Sequence, residues 1–268
     1  MCRLAIVLVL VGLPVAAAAA EPAALARARA LYNAGNYDAA IDAASAARSD
    51  PKAADAAALV LARALLERFR TGPRNDQNGD LPRARTTLAG IRTASLTPRD
   101  QLDLLVGLGQ TLYFGESFGP AADVVDSARG KAAMLGTGDR AKLLDWWATA
   151  LDRQAQALPP ERRAPFFTRV VERMEDELRS EPGSGIANYW LVVGARGSGD
   201  LDRAWDAAVA GWIRAALGPE MSDLRTELDH LVVEALIPER ARRHATPERP
   251  DPRAAMRDEW EKVKAEWK

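Results

Sequence analysis

Thiol and imidazole chemistry are nearly absent from this chain. Cys2 is its only cysteine, and His230 and His244 are its only histidines. Two histidines give a histidine-dependent triad little to draw on, and no serine sits in a nucleophile-elbow motif. The glycine pairs Gly107/Gly109, Gly183/Gly185 and Gly197/Gly199 follow no strand and lack the Lys-Ser/Thr ending, so they are not phosphate loops. Lysine is scarce, with 6 against 30 arginines, and the charges nearly cancel to a net −1. The chain therefore lacks the basic footprint of a nucleic-acid binder. It also lacks runs of alternating apolar and polar residues, which excludes a credible strand pair.

The long apolar run is confined to the N-terminus, MCRLAIVLVLVGLPVAAAAAEP. Arg3 and the terminal amine form a short positive region, Leu4 to Leu13 is apolar, and Pro14 breaks any helix. Ala18-Ala19-Ala20 then offers small residues for cleavage before Glu21. That is the layout of a secretory signal peptide over residues 1–20. Leu4 to Ala20 is at the short end for a membrane span, so a retained anchor is the weaker alternative. Cys2 precedes the apolar run, which argues against a lipoprotein. Cleavage would remove Cys2, leaving a mature protein with no thiol, no disulfide and no cysteine zinc site. Its stability must then come from packing.

What is present is helical periodicity. Ile186, Tyr189, Trp190 and Val193 form one apolar stripe, Gly197-Ser198-Gly199-Asp200 breaks it, and Leu201, Ala204, Trp205, Ala208 and Trp212 form a second. This is a helix, a tight turn and a second helix, with small residues permitting close approach. One such hairpin cannot bury both its faces, and the chain supplies more of them. Ala23 to Ala47 is divided at Gly35-Asn36, and Lys52 to Phe69 precedes a polar loop, Thr71 to Asp80. Leu81, Ala84, Leu88 and Ile91 then repeat the second-helix stripe. Thr97-Pro98 starts the next helix by N-cap and first-turn proline. Its partner carries Phe118, Ala121, Val125 and Ala128. After a break at Gly136 to Gly138, Asp139 to Leu158 and Pro160 to Ser180 form a longer pair.

The alanine of each second helix recurs as Ala40, Ala84, Ala121, Ala164 and Ala204, at intervals of 44, 37, 43 and 40 residues. At a constant offset of 81, Leu31-Tyr32, Tyr37, Ala40, Ala44 and Ala47 match Leu112-Tyr113, Phe118, Ala121, Val125 and Ala128. Such recurrence predicts an all-α fold, an α-solenoid of stacked hairpins. On Leu31-Tyr32, Gly35, Tyr37, Ala40, Ala44, Ala47 and Pro51, on Leu108-Gly109, Leu112-Tyr113, Phe118 and Ala121, and on Gly199-Asp200-Leu201, Ala204 and Ala208, the chain resembles the tetratricopeptide repeat family. The units are longer than the family's 34 residues, Arg27 replaces a large apolar residue, and Pro159-Pro160 replaces the fourth glycine turn. The resemblance implies a right-handed array over residues 21–218, a concave peptide-binding face, and no catalysis.

Beyond the array, Glu220 to Ile237 reads as one helix within a capping segment, 219–245. Residues 246–252 (TPERPDP) form a proline-rich linker, and 253–268 form an amphipathic helix started by Asp251-Pro252. Met256, Trp260, Val263 and Trp267 make a narrow seam on it, suited to a cap, a partner helix or a membrane surface.

The expected function is a non-enzymatic protein- or peptide-binding adaptor, exported to the periplasm or beyond, with no nucleic-acid partner and no stable membrane span after cleavage. No cofactor or metal is expected. If first helices line the groove, its candidates are Tyr32, Asn33, Gln110, Tyr113, Arg153, Tyr189 and Arg196. Two alternatives stand beside it: an assembly subunit held by the Trp260/Trp267 seam, or an envelope-polymer enzyme. The latter would use the one-faced stripe Asp223, Glu227, His230 and Glu234, which otherwise reads as a solvated face. Asn75 to Asp80 looks like part of a calcium loop, but Arg74 and Arg85 stand at ligand positions, so it reads as a turn. Trp146 and Trp147 cannot both face inward on one helix, so one of them is a candidate anchor.

Overall fold

A computed structural model describes residues 21–73, 76, 78–131, 137–219, 221–248 and 250–268, and no strand occurs among them. The expected signal peptide at 1–20, part of the calcium-like loop and most of the Gly136 break lie outside these residues. The helices are α1 (Ala23–Asn33), α2 (Tyr37–Ala47), α3 (Ala54–Thr71), α4 (Asp80–Ala89), α5 (Pro98–Phe114) and α6 (Phe118–Arg129). They continue with α7 (Thr137–Gln156), α8 (Ala164–Ser180), α9 (Gly185–Gly197), α10 (Leu201–Arg214), α11 (Met221–Leu231), α12 (Ile237–Arg243) and α13 (Arg253–Glu266). None of the described helices is long and apolar enough to cross a membrane.

Local chemistry sets the helix starts. Thr97 Oγ1 accepts from the Asp100 N–H at 3.1 Å ahead of Pro98, as the sequence indicates. Asp200 caps α10 through the Arg203 N–H at 3.0 Å, and Ser184 caps α9 through Ala187 at 3.3 Å.

The turns between α1 and α2, α5 and α6, and α9 and α10 share one hydrogen-bond pattern. Asn36 donates to Leu31, Ser117 to Leu112 and Asp200 to Ala195, each a backbone bond spanning five residues at 2.9–3.0 Å. Inside each, the residue before the donor bonds back three positions: Gly35 to Tyr32, Glu116 to Tyr113, Gly199 to Arg196. These turns need a left-handed residue, and Gly35 (φ 74°) and Gly199 (φ 87°) supply it without strain. Glu116 adopts φ 58° in the same role, at a steric cost glycine avoids.

Every helix from α1 to α10 packs against the next, and α1 with α3, α3 with α5, α7 with α9, and α9 with α11 also touch. The spacing is close because the facing residues are small. Ala40, Ala44, Ala84, Ala121, Ala204 and Ala208 are fully buried or nearly so. At Gly109 on α5, an added Cβ would lie 2.8 Å from Val125 Cγ2 on α6. The buried apolar residues form two clusters, one spanning α1 to α5 and the other α5 to α13, with α5 contributing Leu104 to the first and Leu102 to the second.

Three expected boundaries differ. The helix expected from Pro160 begins at Ala164, because a 3-10 turn at Pro160–Arg162 precedes it, held by Arg163 Nε donating to the Leu158 carbonyl at 2.8 Å. The helix expected over Glu220 to Ile237 contains a π turn at Val232–Leu236 and then continues as α12. Pro238 lacks the N–H that an α-helix would direct at the Glu234 carbonyl, so the ladder changes register there. In α13, Pro252 occupies the N-cap position without a side-chain cap, while Asp251 accepts from the Arg253 N–H at 3.1 Å. The start of α4 is held by polar contacts of Asp76 and Asp80. Arg68 forks onto Asp80 at 2.6 and 2.7 Å, Asp80 is only 2% exposed, and Asp76 accepts from the Asp80 and Leu81 N–H groups.

Candidate functional site

Helices α3, α5 and α7 border a recess of about 240 Å³. From α5 it takes Arg99, Asp103, Val106 and Gln110, whose spacing of 4, 3 and 4 places them on one helix face. Arg63 and Glu67, one turn apart, face them from α3, and Asp139, Lys142, Leu143 and Trp146 face them from α7. The three cations and three carboxylates are interleaved. Arg63 pairs with Asp103 at 3.0 Å, while Arg99 lies 3.6 Å from Asp103 and 3.7 Å from Asp139. Lys142 sits 3.8 Å from Asp139. Adjacent tryptophans divide as helical geometry requires: Trp147 is fully buried in the core, and Trp146 is partly buried and lines the recess.

The expected groove residues fall into separate groups. Tyr32 is partly buried at the end of α1, with the Arg63 guanidinium 4.9 Å from its ring centroid. Burial pushes its phenol up, against the pull of Arg63. Gln110 is 4% exposed and donates to Glu67 Oε1 at 3.3 Å. Arg63 and Glu67 thus connect Tyr32 and Gln110 to the recess. Asn33 is exposed.

Tyr113 lies against the second apolar cluster, with ring centroids 5.4 Å from Phe118 and 5.9 Å from Phe114. It occupies the same turn position as Tyr32 and Arg196, since each supplies the carbonyl of the inner turn bond. Arg196 forks onto Glu239 of α12 at 2.6 and 2.8 Å and borders a second recess of about 520 Å³ with Asp152 of α7. The hydrogen bonds that Arg196 donates to Glu239 raise its pKa. Tyr189, two turns earlier on α9, is partly buried. Burial raises its pKa first, followed by the carboxylates of Glu227, Asp152 and Asp145. Arg153 is exposed on α7.

The acidic stripe Asp223, Glu227, His230 and Glu234 is exposed along α11 and its π turn. Among the described residues, no group of three or more His, Cys, Asp or Glu side chains is placed to hold a metal ion. The recess residues Arg63, Glu67, Arg99, Asp103 and Lys142 were absent from the sequence expectation. Their one-turn spacings were a readable signal, but which stripes face each other depends on the stacking of three helices far apart in sequence. Comparison with protein-family models, with curated proteins and with solved structures finds no match for this chain.

Proposed function

We propose that this chain is a non-enzymatic adaptor of the cell envelope that binds a protein or peptide segment on the face formed by its first helices, in the manner of a tetratricopeptide-like α-solenoid. The observation that carries the reading is the threefold recurrence of one turn, together with the contacts of α1 with α3, α3 with α5, α7 with α9 and α9 with α11. Equivalent positions of successive hairpins then follow one another along a common surface. The recess between α3, α5 and α7 is the centre of that surface. Trp146 offers a large rigid contact area beside Val106 and Leu143, and the interleaved charges around it suit a segment carrying both signs. Such a segment docks by covering Trp146 and exchanging the long ion pairs of Arg99 and Lys142 for contacts with its own side chains. The N-terminal pattern of residues 1–20 supports export, so the partner is sought in the envelope.

The test compares capture of envelope proteins by the wild type, by Trp146→Ala and by Val106→Asp, with helix content and melting measured for each. Both variants should keep the fold and lose at least about tenfold in binding, about 1.4 kcal/mol. Undiminished capture by both variants would refute the assignment of this face.

A further inference from the structure

The C-terminal helix is held differently from the helices before it. Of its 14 residues only Met256 and Trp260 are buried. Residues 244–248 and 250–251, which connect it to α12, are all exposed. Its grip is concentrated in a few specific contacts. The Trp260 ring is fully buried, with edge-on neighbours Trp212 at 5.5 Å and Trp205 at 6.1 Å, both on α10. Trp260 Nε1 and Lys264 Nζ both donate to Asp229 Oδ1 of α11 at 2.8 Å. At the far end, Trp212 Nε1 and Arg225 Nη2 donate to the Trp267 carbonyl at 3.1 and 2.7 Å, and the Arg225 guanidinium lies 4.8 Å from the Trp212 ring centroid.

This is a socket with a plug on a tether. An element held by two buried side chains and a few polar anchors belongs to the low-stability end of a fold and opens without unfolding the rest. The surface around it is also unfinished. Leu217 (71% exposed), Met221 (42%) and Trp267 (49%) are the large apolar side chains left exposed among the described residues, and all three lie in this C-terminal part of the chain. Met221 and Trp212 share a cavity of about 720 Å³ with Lys264 and Lys268 of the plug segment.

We infer that α13 is an exchangeable arm, and that the socket formed by Trp205, Trp212, Arg225 and Asp229 takes the α13 of a second copy of this chain. A second copy presents the same Met256, Trp260 and Lys264 in the same register, so reciprocal exchange reproduces every contact of the closed form with two-fold symmetry. The linker, exposed at residues 244–248 and 250–251, is the hinge of the exchange, and bringing two such ends together covers Met221 and Trp267.

The experiment uses the full chain and measures mass by sedimentation and native mass spectrometry from micromolar to several hundred micromolar. The wild type should pass from single to double mass as concentration rises. Trp260→Ala removes the arm's anchor, and Asp229→Ala with Arg225→Ala removes the socket's. Each variant alone loses the contact in its closed and its exchanged form alike, whereas mixing the two should give a mixed dimer at least about tenfold tighter than either variant forms with itself, through the one intact arm and the one intact socket. A wild type that keeps single mass throughout, even after refolding at the highest concentration, makes α13 a fixed cap and overturns the inference. A mixture of the arm and socket variants that forms mixed dimers no more readily than either variant forms its own overturns it as well, because the exposed apolar patch would then suffice without the arm.

Discussion

Replacing Tyr113 with alanine separates a groove contact from a packing contact at one side chain. Tyr113 is partly buried, sits over the α5–α6 turn, and meets Phe118 and Phe114 edge-on at 5.4 and 5.9 Å. Deleting the ring gives up on the order of 100 Å² of buried apolar surface, about 2.5 kcal/mol at 25 cal/mol/Å². Two aromatic pairs add about 0.5–1.5 kcal/mol each. Relaxation around the site and residual burial in the unfolded chain return part of this, so the net cost should be about 2–4 kcal/mol. For a chain of this size that corresponds to a loss of roughly 4–8 °C in Tm. Thermal unfolding followed by far-ultraviolet circular dichroism reads it directly. A double-mutant cycle with Phe118→Ala should show the two losses falling short of additivity by about 1 kcal/mol. A Tm within about 2 °C of the wild type, with a partner lost at the same time, would refute the packing argument and return Tyr113 to the groove.

Further outcomes can be checked separately. Gly109→Ala places a Cβ 2.8 Å from the buried Val125 Cγ2, so it should destabilise the protein by about 1–3 kcal/mol in chemical denaturation, although alanine is the better helix former. Burial pushes the Asp229 carboxyl up, but hydrogen bonds from Lys264 and Trp260 outweigh that and hold it below the ordinary aspartate range. A depressed folded-state pKa means the contact is at full strength above the unfolded value near 3.9 and is lost as pH falls through the lower folded value. Near-ultraviolet circular dichroism of the tryptophans should therefore change below about pH 4 in the wild type, and Asp229→Asn should remove the component of that change due to this carboxylate. Intact mass of the exported protein should lack residues 1–20, whereas full-length chain in the membrane fraction would count against cleavage.

The all-helical class was legible because apolar residues recur at helical spacing and nothing alternates. The hairpin turns at Gly35 and Gly199 were legible because glycine marks the left-handed position. The equivalent role of Glu116 was visible only through the offset of 81 between units, since a glutamate at φ 58° carries no local mark. The π turn carries no mark in the apolar stripe of Glu220 to Ile237, and Pro238 just beyond that span lies inside a continuing helix. At the candidate site, Gln110 is the one expected groove residue among those that line the recess. Arg63, Glu67 and Asp103 were missed because a charge stripe on one helix looks like a solvated face until the helices beside it are known. The tyrosines raise the opposite problem. Tyr113 has its nearest aromatic neighbours one and five residues away, so local packing takes up a ring that the sequence alone offers to a partner.

Placing a photo-crosslinking amino acid at position 146, with exposed Ser127 on the second helix α6 as the control position, tests the binding face most directly. Irradiation in the native envelope should join a polypeptide partner to position 146 and not to position 127. Equal adducts at both positions, or adducts at 127 alone, would contradict binding on the face between α3, α5 and α7.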